Sequence, residues 1–265
     1  MASRKEQKEA ARQQRLAEER ARAERTRRDR RLRMLAGTLV GAIVVVVAAI
    51  AISSGGGSAK VIKPTSTAAK QAQSKVNTLL AGIPQSGNTL GSPSAKVTVT
   101  EYGDLVCPVC KTFALGAQNQ LIANEVRQGK VKIVYKALET ASQQANNSMF
   151  VPSQTAALAA GNQKKAWNYI ELFYHEQGDE TSSYVTDSYL SGLAAQIPGL
   201  NVSQWGSERQ SSTLSAKVTA DEQAAAAAGY NSTPTVLVSG PKSQAQPIVG
   251  SATYAQLQSA INSVS

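Results

Sequence analysis

The stretch from residue 96 to residue 115 places the strongest constraint on how this chain folds. It opens with a β-branched and aromatic run, Lys96-Val-Thr-Val-Thr-Glu-Tyr102, which is typical of a buried strand. Cys107-Pro108-Val109-Cys110 comes next, and the residues after it, Lys111-Thr-Phe-Ala-Leu, lack Pro and Gly and favour a helix. Cys107 therefore lies at a predicted helix N-terminus, where unpaired N–H groups and the helix dipole stabilise a thiolate. Pro108 suits the first helical position, which needs no N–H donor.

Three kinds of site contain a Cys-x-x-Cys pair, and the composition separates them. Cys107 and Cys110 are the only cysteines in 265 residues, and His175 is the only histidine. A zinc site of four cysteines, or of two cysteines and two histidines, cannot be completed from this set. A structural disulfide between these residues would close a very short loop and constrain the unfolded chain little. The pair therefore favours a redox-active dithiol, whose thiolate attacks disulfides.

The positive charge of the chain is concentrated before the first long apolar stretch. Residues 1–33 hold 13 Lys/Arg and 6 Asp/Glu, a net charge of +7 out of the +10 of the whole sequence. Residues 34–52 are 19 uncharged, mostly aliphatic positions, enough to cross a bilayer as one helix. Because arginines crowd the N-terminal flank of this stretch, we expect residues 1–33 in the cytoplasm and residues 53–265 outside.

Two alternatives apply to this N-terminal region. A cleaved signal peptide would also begin with positive charge, but its apolar core normally runs about 7–15 residues. The basic tail could bind nucleic acid, but it has no aromatic side chains to stack on bases. We therefore predict a single-pass cell-membrane protein with an uncleaved anchor, a domain outside the cytoplasm and no nucleic-acid partner. Outside the cytoplasm disulfides persist, which suits a catalyst of disulfide exchange.

The pattern of the remaining residues predicts a linker followed by one folded domain. Residues 53–85 begin with a Gly/Ser-rich tether and contain a short predicted helix, 66–81, whose apolar side includes Val76 and Leu80. Residues 86–265 form the domain, and residues 84–93 at its start are turn-rich. Strand 96–102, a helix from about 107 to 128 and strand 131–136 have the spacing of a parallel βαβ unit.

The second half of the domain changes from strand to helix and back. From about residue 140 to 229 the strand pattern is absent, and helical patterns predict an inserted helical subdomain. One predicted helix places Trp167, Ile170, Phe173 and Tyr174 on one face, and another runs from 184 to 197. A hairpin then forms around 236–238 and 247–250, and Ser251 is expected to cap a final helix, 253–264.

This order of elements resembles the thioredoxin fold of DsbA-like proteins. The resemblance rests on Leu90-Gly91, on Glu101-Tyr-x-Asp-Leu-x-Cys-Pro-x-Cys110, on the Ala-rich helix before Trp167, on residues 229–235 and on Gly250. It implies an α/β thioredoxin fold with an inserted helical subdomain, preceded here by a single transmembrane helix. The N-terminal anchor resembles that of membrane-tethered bacterial forms.

The resemblance also implies a role for individual residues. Cys107 resembles the exposed nucleophile of a redox disulfide, Cys107–Cys110, and Cys110 resembles the buried resolving cysteine. Pro234 resembles the cis-proline beside the disulfide, and Thr233 would present its backbone to a bound peptide. Pro108 and Val109 would also contact substrate. Glu101 resembles the buried acid that handles protons for the resolving thiol; a partly exposed strand glutamate is the alternative.

One departure from the family affects the direction of electron flow. The strongest oxidants carry a histidine between the cysteines, whereas Val109 here donates neither a hydrogen bond nor a charge, and Lys111 compensates in charge only. We therefore expect a less oxidising couple than in those proteins. The predicted enzyme is a thiol:disulfide oxidoreductase that acts on unfolded exported proteins, with a quinone-linked membrane partner of the DsbB or VKOR kind and no cofactor or metal.

Two alternative functions remain open at this point. A membrane-tethered reductase of the same fold would keep particular thiols reduced, for example during cytochrome c maturation. A non-catalytic binding or chaperone module would use the helical insert and hold the cysteines as a static disulfide. The Cys-Pro-x-Cys and Thr-Pro pairs argue against this second alternative, because a binding module needs neither.

Overall fold

A parallel strand–helix–strand unit lies at the centre of the fold, in a computed structural model that describes residues 62–145 and 147–265. Strand β3 (Val97–Gly103) pairs in parallel with β4 (Val131–Ala137), with Val97 opposite Val131 and Gly103 opposite Ala137. Alternate β4 side chains are buried, as a half-buried β-branched strand requires. The predicted βαβ unit is confirmed.

The other strands extend this unit in both directions into one twisted sheet. On one side β5 pairs antiparallel with β3, and β6 pairs with β5 in the predicted hairpin. On the other side a hairpin that the sequence did not predict, β1–β2, pairs antiparallel with β4. Its strands are too short for a detectable period of two. The remaining bounds are β1 Gln85–Ser86, β2 Thr89–Leu90, β5 Thr235–Ser239 and β6 Ile248–Val249, and the strand order is β1-β2-β4-β3-β5-β6.

The helix after the cysteine pair, α2 (108–126), alternates between α-helical and π-helical turns. Cys107 is its N-cap residue in an extended conformation, and Pro108 is its first residue, as predicted. The helix ends two residues before the predicted end. Its consecutive segments are an α-helix at Pro108–Phe113, a π-helix at Ala114–Gln118, an α-helical turn at Asn119–Leu121 and a π-helix at Ile122–Val126. Single π-turns inside α-helices are frequent at functional sites.

The predicted helical insert is present between β4 and β5. Its central helix, α5, is buried from Ala166 through Tyr174, and not only along the predicted face. This is because α4 (Phe150–Asn162), α1 (Thr67–Leu80) and the first π-turn of α2 all pack against α5. The helices of the insert are α3 Ala141–Gln144, α4 Phe150–Asn162, α5 Ala166–His175, α6 Asp187–Ala194, α7 Val202–Glu208 and α8 Ser212–Ala227.

Two local predictions were wrong in detail. Helix α6 is shorter than the predicted 184–197, because the Thr186 side chain accepts a hydrogen bond from Tyr189 N and starts the helix there. The final helix, α9 (Tyr254–Val264), is capped by Thr253 in a capping box with Gln256, and not by Ser251.

Helix α1 (Thr67–Leu80) belongs to the same core as the sheet and the insert. Ser66 caps it, and its buried residues include Val76 and Leu80. One continuous cluster of buried side chains joins α1 to the sheet, the insert and α9; it includes Val76, Val99, Ile133, Trp205 and Leu257. The compact unit that contains these residues spans Ser58–Ser265.

The predicted basic tail, 1–33, and the predicted anchor, 34–52, lie outside the described residues. Within the residues that are described, none of the helices has the length and apolar composition of a membrane span.

Candidate active site

Cys107 lies where the chain turns from β3 into α2, and its surroundings favour a thiolate. Its pKa falls from 9.0 to about 6, chiefly because the Cys110 thiol donates a hydrogen bond to it. The backbone N–H groups of Cys110 and Val109 and the side chain of Thr233 contribute further hydrogen bonds, and together they outweigh partial desolvation. The residue is 7% exposed, so only its edge is open to an incoming thiol.

The pKa of the Cys110 thiol is shifted in the opposite direction from that of Cys107, although Cys110 lies only three positions later. It is fully buried on the inner face of α2, and burial raises the pKa of its thiol well above the ordinary value. The negative charge of Cys107 acts in the same direction. Both cysteines are free thiols here, so the structure describes the reduced state. The pair therefore consists of one ready nucleophile and one thiol that keeps its proton until a base accepts it.

Glu101 lies on β3 beneath the two sulfurs and is fully buried. Its Oε2 accepts a hydrogen bond of 2.6 Å from Gln118 Nε2 on α2, and its Oε1 has no partner within the part of the chain that is described. The pKa of Glu101 is raised to about 8, chiefly by desolvation; the hydrogen bond from Gln118 opposes the rise and the charge of Cys107 adds to it. The alternative of a partly exposed strand glutamate is wrong.

Thr233 and Pro234 come to the same place from the other half of the chain. Their peptide bond is cis, and the Cys107 sulfur lies 3.8 Å from the Thr233 carbonyl oxygen. The Thr233 hydroxyl shares a hydrogen bond with the Thr140 hydroxyl at the start of the insert. The structure thus brings residues from β3, α2 and the loop before β5 around one sulfur.

Pro108 and Val109 form the exposed surface beside this sulfur. Val109 is 45% exposed. Lys111, which follows Cys110, is half-buried, and desolvation lowers the pKa of its amine.

Two residues that position the cysteine loop were not predicted to have a role. Asp104 is buried; its Oδ1 accepts from Val106 N at 2.9 Å, and its Oδ2 accepts from Thr140 N at 3.1 Å and Ala141 N at 3.0 Å. Gln177 Nε2 donates to Leu105 O at 2.8 Å and to Cys107 O at 3.0 Å. Asp104 carries a local signal, since an acid two residues before a turn commonly caps it. Gln177 carries none, because it reaches the loop only through tertiary contact.

Glu171 on α5 is a third buried acid, after Glu101 and Asp104, and the sequence did not single it out. It is fully buried, and desolvation raises its pKa to about 8, with a further contribution from the charge of Glu101. His175 lies at the end of the same helix, where burial and the nearby charges of Lys75 and Lys111 lower its pKa. Among the described residues, no group of His, Cys, Asp and Glu side chains forms a metal site.

Comparison with known proteins agrees with this geometry. A family model described as thioredoxin matches residues 85–263. The probable disulfide bond formation protein D of Bacillus anthracis is 24% identical over 153 residues, which are 57% of this chain and 69% of that protein. The disulfide bond formation protein D of Bacillus subtilis is 27% identical over 156 residues, 56% of this chain and 66% of that protein.

Solved structures show the same fold. Oxidised BdbD from Bacillus subtilis aligns with a TM-score of 0.58 at 22% identity, over 69% of this chain and 96% of that one. The alpha-DsbA1 protein of Wolbachia pipientis aligns with a TM-score of 0.55 at 15% identity, over 70% of this chain and 92% of that one. With its dithiol at the start of α2, the chain belongs to the thioredoxin family and is a DsbA-like thiol:disulfide oxidoreductase.

Proposed function

We propose that this enzyme introduces or exchanges disulfides in exported proteins through Cys107 and Cys110. The observation that carries the proposal is the difference between the two thiols. Cys107 has a pKa of about 6 and a solvent-facing edge, whereas Cys110 is buried and protonated. A stabilised Cys107 thiolate is a good leaving group, so a mixed disulfide at this sulfur is readily passed on.

The proposed reaction starts from the oxidised enzyme. A substrate thiolate attacks the Cys107 sulfur, forms a mixed disulfide and expels Cys110, which takes up a proton. A second substrate thiolate then attacks the substrate sulfur of the mixed disulfide and releases Cys107 as a thiolate. Two electrons pass from the substrate dithiol to the enzyme disulfide, and the substrate gains the disulfide that the enzyme loses.

Glu101 is the proposed proton donor and acceptor for Cys110. With a pKa of about 8, its carboxyl group is mostly protonated at neutral pH and can supply the proton that the leaving Cys110 needs. In the reverse direction its carboxylate accepts the Cys110 proton. Its burial and the hydrogen bond from Gln118 support this role.

Unfolded polypeptides with free thiols are the proposed substrates. The edge of Cys107 is flanked by Thr233, whose carbonyl group faces the sulfur, and by exposed Pro108 and Val109. An extended peptide placed here would pair with the Thr233 backbone and lie against an apolar surface. Such contacts recognise backbone and general apolar character, which suits a catalyst with many substrates.

The predicted anchor and the proposed chemistry are compatible. Residues 34–52 would hold the enzyme at the outer face of the cell membrane, where a quinone-linked membrane oxidase could regenerate the Cys107–Cys110 disulfide. Confinement to one plane raises the effective concentration of the two partners. Labelling of Cys107 in intact cells by a membrane-impermeant thiol reagent tests this placement; label that appears only after lysis would contradict it.

A trapping experiment tests the exchange reaction. In the full-length chain expressed in cells, Cys110→Ala should accumulate mixed disulfides between Cys107 and exported proteins, because the resolving thiol is absent. The matched variant Cys107→Ser should trap none. If Cys110→Ala traps no protein while Cys107 still reacts with alkylating reagents, the proposed function is wrong.

The equilibrium reduction potential of Cys107–Cys110 against glutathione sets the direction of electron flow. A pKa of about 6 for Cys107 lies between those of the nucleophiles in DsbA, about 3.5, and thioredoxin, about 7. We therefore expect a potential between about −120 mV and about −270 mV, the values of these two proteins.

The reductase alternative is favoured by one feature, the apolar Val109 between the cysteines, which offers no charge or side-chain donor to the thiolate. A potential near about −270 mV would favour this alternative, with a membrane electron donor as the partner.

A further inference from the structure

Thr140, the N-cap residue of α3, has no place in the mechanism described so far, although it lies at the edge of the redox site. Strands β3 and β4 are parallel, with Gly103 opposite Ala137, so the chain leaves both strands at the same edge of the sheet. Strand β5 is antiparallel to β3 and therefore begins at this edge. The topology thus places the cysteine loop after β3, Thr140 after β4 and Thr233 before β5 side by side.

The backbone of Thr140 is fixed by the buried carboxylate of Asp104. Asp104 Oδ2 accepts from Thr140 N at 3.1 Å and from Ala141 N at 3.0 Å, and Oδ1 accepts from Val106 N at 2.9 Å. The Cys107 N–H donates to the backbone carbonyl of Asp104 at 3.0 Å. Hydrogen bonds to a carboxylate are charge-assisted and stronger than those between neutral groups. One side chain therefore joins the cysteine loop to the start of the insert.

The side chain of Thr140 does not cap the helix that it starts. A threonine at an N-cap position usually accepts a hydrogen bond from one of the first N–H groups of its helix. Here Asp104 accepts from the first N–H group of α3, and the Thr140 hydroxyl bonds to the Thr233 hydroxyl at 2.5 Å. The carbonyl oxygen of Thr233 lies 3.8 Å from the Cys107 sulfur. The Thr140 hydroxyl is thus bonded to the residue that lies against the nucleophile.

We propose that Thr140 is a positioning residue of the redox site: its hydroxyl group, whose place is fixed by Asp104, holds Thr233 beside the sulfur of Cys107. Thr140 acts through Thr233 and not on the reacting atoms. The same bond holds the backbone segment with which an extended peptide would pair. The proposal rests on the proposed function for the nature of that substrate, whereas the contacts that carry it do not depend on the substrate.

The bond between the two hydroxyl groups also orients the proton of Thr233. A hydroxyl group donates one hydrogen bond and accepts up to two. The Thr233 side chain contributes a hydrogen bond that lowers the pKa of Cys107, and this bond uses its single proton. Thr140 is then the donor to Thr233, so it keeps the Thr233 proton directed at the thiolate. When Cys107 is in a disulfide its negative charge is gone, and Thr233 can donate to Thr140 instead.

The experiment measures how fast iodoacetamide labels Cys107 at varied pH in the purified, reduced full-length chain. Thr140→Val replaces the hydroxyl by a methyl group and should move the midpoint at least about half a pH unit above that of the wild type, because the thiolate loses an oriented donor. Thr140→Ser keeps the hydroxyl and should retain the wild-type midpoint.

These substitutions change no charge near the sulfur. The titratable groups that face Cys107 are Cys110 on α2 and Glu101 on β3, and Asp104 faces Thr140. All three remain in every variant, so a shifted midpoint reports the loss of the hydroxyl bond.

A double-mutant cycle and a matched control separate positioning from general stability. Thr233→Val should raise the midpoint at least as much as Thr140→Val, and the double variant should equal Thr233→Val, because Thr140 acts through Thr233. The control is Thr155→Val, which removes a hydroxyl bond to Pro152 O within α4 and should retain the wild-type midpoint. Thr140→Ala takes the place of Thr140→Val if the valine variant does not fold.

Three results would overturn the proposal. They are an unchanged midpoint in Thr140→Val, a midpoint in Thr140→Ser as high as that in Thr140→Val, and a larger shift in the double variant than in Thr233→Val. Absence of mixed-disulfide trapping in Cys110→Ala would instead count against the proposed function, whereas the midpoints would still decide the role of Thr140.

Discussion

At the scale of single residues, the site depends on one hydrogen bond between two thiols. The Cys110 thiol is the main cause of the low Cys107 pKa, ahead of the backbone donors at the helix N-terminus. In turn, the negative charge of Cys107 raises the pKa of Cys110 and helps to keep it protonated. The low pKa of Cys107 therefore depends on a reduced Cys110, and each variant of one thiol also changes the pKa of the other.

Alkylation of the reduced protein at varied pH tests this coupling. The rate of Cys107 labelling should be half-maximal near pH 6, because only the thiolate reacts. Cys110→Ala should move the midpoint to higher pH, and Cys110→Ser should move it less, because the serine hydroxyl remains a donor. A wild-type midpoint near about 8.5, the value for a free cysteine, would contradict the assignment.

The stability of the protein should depend on pH through Glu101. Its folded pKa is raised from 4.5 to about 8, so the folded state binds more protons than the unfolded state between these values. The contribution of Glu101 to the free energy of unfolding should therefore fall as pH rises through this window and level off above it. Glu101→Gln should be more stable than the wild type at pH 7, by roughly 3 kcal/mol at most.

Denaturant unfolding of the reduced proteins at pH 5 and pH 7 measures this effect. The difference between the two pH values should shrink in Glu101→Gln and should not vanish, because Glu171 contributes in the same direction. An equal pH dependence in wild type and variant would show that Glu101 does not titrate in this range.

At the scale of elements, one arginine caps the C-terminal end of α1. Arg127, just after α2, donates through Nη1 to Ala81 O at 2.8 Å and through Nη2 to Leu79 O at 2.6 Å and Thr78 O at 3.3 Å. These carbonyl groups at the end of α1 have no partner within their own helix. A cation at this position also interacts favourably with the helix dipole.

Removing the Arg127 hydrogen bonds should destabilise α1 without changing the pKa values of the two thiols. Arg127→Ala should lower the free energy of unfolding by about 1–3 kcal/mol and speed hydrogen exchange in residues 67–80. Lys130→Ala is the matched control, because its ion pair with Glu125 spans 3.6 Å at the surface and contributes little. Unchanged exchange in α1 of Arg127→Ala would mean that core packing alone holds the helix.

At the scale of the whole molecule, the insert and the sheet share one core. Trp167 Nε1 donates to Asn88 O at 3.1 Å, which joins the insert to the β1–β2 hairpin. Trp205 Nε1 donates to Ala156 O at 2.8 Å within the insert. Both rings are fully buried in the continuous core cluster. The insert is thus part of the domain's packing, and we expect it not to unfold separately.

Single-tryptophan variants test this expectation. Trp205→Phe leaves Trp167 as a probe of the junction, and Trp167→Phe leaves Trp205 as a probe of the insert interior. Within each variant, fluorescence and far-ultraviolet circular dichroism should give the same denaturant midpoint, as a two-state transition requires. An earlier fluorescence midpoint in Trp167→Phe would indicate that the insert unfolds first.

Local features of the sequence were sufficient to predict most of the helices and strands and the position of the cysteine pair. The β-branched run before Cys107 and the proline after it specify a strand and a helix start within a few residues, so strand β3 and the Cys107 cap were correctly predicted. The β1–β2 hairpin was missed because its strands have two residues each and form only by pairing with β4.

Tertiary structure alone decided the burial of the acids and the partners of the thiols. Glu101 becomes a buried acid through packing that brings Gln118 of α2 against it. Gln177 reaches the Cys107 loop from the insert, 70 residues later in the chain. A pKa depends on desolvation and on charges brought close by packing, and neither can be predicted from the local sequence. The sequence by itself identified the cysteine pair, Glu101 and Pro234 as candidates, and the fold determined the burial and pKa values of the cysteines and Glu101.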